Sequence, residues 1–127
     1  MDTGKSALGG IDGNIAALIG YIFWPIAVVC IIMDKENKFV RFHAIQALAY
    51  HVAAIVVFIC LVIVLTILSV MLAFARLGEL SGILWLLYMV VVLAYLAGLI
   101  YAAVKAYGGA MFKLPVVGNM AEKWANG

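Results

Sequence analysis

Two histidines and two cysteines are the side chains of this sequence best suited to hold a metal or haem, and their spacing works against it. His43 and His51 lie eight residues apart, about 12 Å along a helix and on different faces, too far to share one ion within a chain. Cys30 and Cys60 stand in apolar runs with no His or Cys at ligand spacing, which is the setting of small buried hydrophobes. No nucleophile is paired with a base, so the sequence reads as non-enzymatic, with no cofactor and no metal. A histidine inside an apolar helix has other uses, pairing with backbone or tyrosine or relaying protons, and His51 is read first as structural.

The most informative polar stretch runs from Lys35 to Leu48. Phe39, His43, Gln46 and Tyr50 succeed one another by four, three and four residues, so on a helix they form one narrow stripe, with Lys38 and Arg41 well around from it. One face can then hold lipid headgroups while the other offers a polar, aromatic surface. Lys38, Arg41, Phe42, His43, Gln46 and Tyr50 are therefore the candidate interaction residues, toward a neighbouring helix or subunit. The plainer alternative is an interfacial helix start, with basic side chains snorkelling and aromatics at headgroup level.

The elements that carry these residues belong in lipid. With 69% hydrophobic and 11% charged residues, against roughly a quarter charged in a soluble domain, the chain cannot cover a water-soluble globule. The expected fold class is all-α and integral to the membrane, a single domain over residues 1–127. Three transmembrane helices are predicted, over about 15–33, 42–74 and 81–105, with an interfacial amphipathic segment over 108–127. Pro25 falls in the middle of the first run and predicts a kink. Residues 1–14 read as a loose tail ending in a helix cap at Asp12 or Asn14, and Asn37 as the cap of the second helix. Gly108 and Gly109 should end the third helix, and Asn119 with Glu122 resembles a capping box for a last turn lying on lipid. The lack of a small-residue cleavage site after the first run predicts a retained anchor.

Ala94, Gly98 and Ala102, continued by Ala106, make a small-residue ridge at intervals of four that allows another helix to approach closely. Tyr88 and Tyr95 share one face of the same span. Lys35, Lys38, Arg41, Lys105, Lys113 and Lys123 fall on one predicted side and Lys5 and Arg76 on the other. This distribution places the protein in the cell (inner) membrane, multi-pass, with the N-terminus outside and the C-terminus in the cytoplasm. The basic groups are divided among short segments, so nucleic acid is not an expected partner. The expected partners are the lipid bilayer and other membrane proteins, copies of this chain included. The spans lack Asp, Glu, Lys and Arg, which weighs against ion-coupled transport but leaves passive conduction through an oligomer open.

The core Glu36-Asn37-Lys38-Phe39-Val40-Arg41-Phe42-His43-Ala44, followed by Gln46, resembles the signature of a family of small bacterial and archaeal membrane proteins of unassigned function. Asn14-Ile15-Ala16-Ala17-Leu18 with Tyr21, and Lys113-Leu114-Pro115-Val116-Val117-Gly118, fit the same pattern. That family is similar to the protein-import component of the chloroplast inner envelope. The resemblance implies a role in or beside a membrane complex, and with it a link to moving polypeptide. The leading expectation is a non-enzymatic membrane subunit that packs into a homo- or hetero-oligomeric complex. A homo-oligomeric channel or translocation component is the alternative, and a haem- or metal-bound subunit using His43 or His51 the least favoured.

Overall fold

The computed structural model describes residues 3–127, and the chain is all-α as expected. The first apolar run is not one helix. It divides into α1 (Gly13–Ile22) and α2 (Trp24–Met33), separated by Phe23 in extended backbone at φ −128° and ψ 96°. Pro25 explains the division: it occupies the first turn of α2, where its missing N–H is lost from an unpaired position, so it starts a helix instead of kinking one. The chain folds back there, and a Cβ on Gly20 of α1 would lie 3.6 Å from the Cα of Ala27 in α2. At about 15 Å each, neither helix alone crosses a bilayer core of about 30 Å. Where one continuous kinked helix is expected over 15–33, the structure therefore has a helical hairpin.

Two helices are long and apolar enough to cross, α3 (Lys38–Phe74) and the stretch ending in α4 (Ser81–Tyr107), which follows a 3-10 turn over Gly78–Leu80. Asn37 caps α3 as predicted, its Oδ1 accepting from Val40 N at 3.1 Å. At the other end Arg76, at φ 60°, lets Arg76 N reach Ala73 O and Leu77 N reach Leu72 O, a closing turn that glycine usually makes. Gly109, at φ 82°, closes α4 in the same way, with Ala110 N on Lys105 O.

The described residues group into two compact units. One comprises the residues up to Val52 together with Gly98–Gly127, and holds nearly all the buried side chains, from Ala16, Tyr21 and Cys30 to Ala102, Ala106 and Ala121. The other, Ala53–Ala97, is a helix pair in which only Leu65 is buried. Its two helices meet along one narrow stripe each, where the Phe58 ring stands edge-on to Tyr88 and Tyr95 at 5.8 and 5.5 Å.

Within the first unit the tail is folded. Ser6 N bonds Ile11 O, Gly10 N bonds Ser6 O, and Lys5 pairs with Asp12, which replaces the loose tail expected there. Asp12 occupies the cap position of α1 but spends its carboxylate on Lys5 and makes no side-chain cap. Buried Asp34 accepts from Ser6 Oγ and Ala7 N, both at 2.6 Å, and the Asn37 amide donates to Thr3 O and Lys5 O, both at 3.0 Å. Lys38 Nζ donates to Ala125 O at 3.1 Å. Residues 3–7, 34–38 and 125 therefore meet at one end of this unit.

The last helix, α5 (Val117–Asn126), is amphipathic: Ala121 and Ala125 bury one face against Phe42 and Ile45 of α3, while Trp124 is exposed. Asn119 is already inside this helix and Glu122 pairs with Lys113, so the capping box does not form.

Candidate functional site

The stripe at the start of α3 turns inward. Phe39, Phe42, His43 and Gln46 are buried, and Tyr50 is half-buried. The segment Ala110–Leu114 after α4 runs beside them, and α1 supplies Tyr21.

Hydrogen bonds join these pieces without a break. His43 Nε2 lies 2.9 Å from Ala110 O, and since a carbonyl only accepts, this nitrogen carries the ring proton. Nδ1, 2.8 Å from Tyr21 Oη, then accepts the phenol proton in the neutral ring. The phenol oxygen in turn accepts from Gln46 Nε2 at 2.6 Å. The second hydrogen of that amide goes to Phe112 O at 2.9 Å, and Gln46 Oε1 accepts from Leu114 N at 2.8 Å. Gln46 thus treats the passing segment as a neighbouring strand would, taking one carbonyl and one N–H two residues apart.

The His43 ring is enclosed edge-on by Phe39, Phe42 and Tyr21, with centroids at 4.6, 4.9 and 5.7 Å. Both ring nitrogens are already bonded, so the arrangement holds a chain segment in place and presents no lone pair to a metal. His51, about two turns further along α3, donates Nε2 to Tyr21 O at 3.0 Å. That carbonyl belongs to the last turn of α1, where no intrahelical partner exists, so the imidazole closes the end of a helix.

Lys38 is exposed and turned to α5, and Arg41 is partly buried with its Nε unpaired among the described residues. The small-residue ridge divides. A Cβ on Gly98 would come 2.5 Å from Tyr50 Oη, and Ala102 and Ala106 are buried in the core of the first unit. Ala94, in the second unit, is exposed. Sequence reasoning missed Tyr21 and the segment after α4 as parts of one assembly, and Asp34 as the buried acceptor that holds Ser6 and Ala7. A phenol inside an apolar run was the available signal, because a buried hydroxyl must find a partner.

Two long apolar helices and two short ones, with a hydrogen-bonded polar interior confined to one unit, define a small all-α membrane protein. Residues 7–121 match the magnetosome magnetite crystal formation protein family, and the chain belongs to that family. It is 38% identical over 123 residues to a UPF0132 membrane protein of Methanocaldococcus jannaschii, covering 96% of each chain. A second such protein of that organism is 28% identical over 120 residues, 91% of this chain and 71% of the relative. A UPF0132 membrane protein of Archaeoglobus fulgidus is 32% identical over 115 residues, 90% and 96% of the two chains. These relatives bear out a small membrane-protein family and give no support to a likeness with the plastid import component. No solved structure matches the chain.

Proposed function

We propose that the protein is a non-enzymatic membrane subunit that assembles, with copies of itself or with another membrane protein, through the outer faces of residues 53–97. The observation that carries this reading is the burial pattern of that unit. Its only buried side chain is Leu65, and the small side chains Ala94 and Ala97 stand exposed on α4. Small residues on the outer face of a membrane helix let a second backbone come close, which is how helices associate where lipid removes the hydrophobic drive between them.

The polar stripe does not serve as the contact surface in this reading, because Tyr21 and the 110–114 segment already fill it. A conducting oligomer would have to find a polar path between copies, since the donors and acceptors of the His43 network are committed to one another. Among the described residues no three His, Cys, Asp or Glu side chains converge as metal ligands. Of the eight basic residues, seven belong to the first unit and only Arg76 to the second, which supports a cytoplasmic placement of the charged end of the first unit.

The test is the mass of the complex extracted gently from its native membrane, with every co-purifying chain identified, for wild type and Ala94→Leu. An assembly of fixed size that is weakened by Ala94→Leu supports the proposal. A single chain in every native-lipid preparation rejects it.

A further inference from the structure

The geometry points to α1 and α2 forming a re-entrant hairpin that enters and leaves the bilayer on one side, its tip embedded among the acyl chains of a single leaflet. The base of the hairpin is polar and tied down. Asp34 holds Ser6 and Ala7, Asn37 holds Thr3 and Lys5, and Lys5 pairs with Asp12, all at the level where α3 begins. Between Ile15 and Met33 there is no charged residue, and the fold-back comes after one ten-residue helix, about 15 Å and so half of a bilayer core of about 30 Å. At the tip, Ile22, Phe23 and Trp24 are 70, 57 and 54% exposed.

An apolar tip alone would leave open what covers it. The backbone decides. A break in a helix strands carbonyls and N–H groups, which water satisfies at a protein surface but which must find protein partners in hydrocarbon. At this break the following groups have protein partners or need none. Phe23 N bonds Ile19 O, Ile26 N bonds Phe23 O, Pro25 has no N–H to strand, and Tyr21 O accepts from His51 at 3.0 Å. An imidazole brought from a neighbouring helix to a carbonyl beside the tip is the provision that a site without water requires. The residue at that depth agrees: His51 is thirteen positions past Lys38, about 20 Å along α3. The occupant around Ile22, Phe23 and Trp24 is therefore lipid hydrocarbon.

Two measurements on the full chain in vesicles test this. With Cys30→Ala and Cys60→Ala as background, Lys5→Cys and Lys35→Cys should both react with a membrane-impermeant maleimide from the same side. Labelling from opposite sides would make the run a full crossing and overturn the hairpin. With Trp85→Phe and Trp124→Phe, the remaining Trp24 should lose emission to lipids brominated in the acyl chain and be insensitive to aqueous acrylamide. Quenching by acrylamide, or protection from both quenchers because a second copy covers the tip, overturns the lipid assignment. The cysteine measurement needs neither tryptophan change, so loss of fold in the tryptophan variant leaves the topology decided.

Discussion

Gly98 sits against the phenol of Tyr50 so closely that a Cβ at position 98 would lie 2.5 Å from Oη and 3.3 Å from the adjoining ring carbon. The ridge glycine of α4 thus meets its partner in the same chain. Gly98→Ala should destabilise the protein by about 1–3 kcal/mol, the usual range for overpacking. Combining it with Tyr50→Ala should be non-additive, since the second change removes the atoms the first one strikes. Thermal unfolding in detergent across the four variants is the measurement, and additive losses would show that the contact is not felt.

Gln46 carries three hydrogen bonds, two of them to the 110–114 segment. Gln46→Leu keeps the volume nearly constant but leaves Phe112 O and Leu114 N without partners, at about 1–3 kcal/mol for each buried group. The amide of Leu114 should exchange with deuterium far faster in the variant, while amides in the middle of α4 stay protected. Unchanged exchange at Leu114 would mean that the segment is held by its apolar contacts alone.

His51→Leu removes the donor to Tyr21 O and should cost about 1–3 kcal/mol through the exposed end of α1. His51→Gln, which can still donate, should restore part of that loss. Equal stability of all three proteins, by the same unfolding assay, would reduce this histidine to a bystander.

Val116 stands at φ 69° and ψ −57° between Pro115 O and Val117 N, which bond at 2.8 Å in the rare strained form of the γ-turn. A β-branched residue is poorly suited to positive φ, and its side chain is 89% exposed, so little packing offsets the strain. Val116→Gly should raise stability by about 1 kcal/mol. A lower unfolding temperature would show that the exposed valine has a contact in the membrane worth more than the strain.

Much of this architecture was legible in the residues. The second and third apolar runs, the Asn37 cap and the Gly108–Gly109 stop follow from local chemistry, and each stands in the structure near its expected place. The four-three-four spacing correctly put Phe39, His43, Gln46 and Tyr50 on one face of α3. What that face meets was not legible. A stripe of polar and aromatic groups looks the same whether a second protein or the chain's own C-terminal segment covers it.

Composition alone determined the solvent, because the sum of apolar and charged residues does not depend on how the chain is folded. The lengths and ends of α3 and α4 followed from sequence for a similar reason, being set within a few neighbouring residues. Tertiary structure decided the rest: that the run around Pro25 folds back instead of kinking, that Asp34 and Asn37 hold residues 3–7, and that His43, Tyr21 and Gln46 close on carbonyls from 110 and 112. Away from water every buried polar group must find a partner. Which backbone groups arrive to serve as partners is fixed by contacts between segments 20 to 70 residues apart, as in the bonds from Gln46 to Tyr21 and from Leu114 to Gln46.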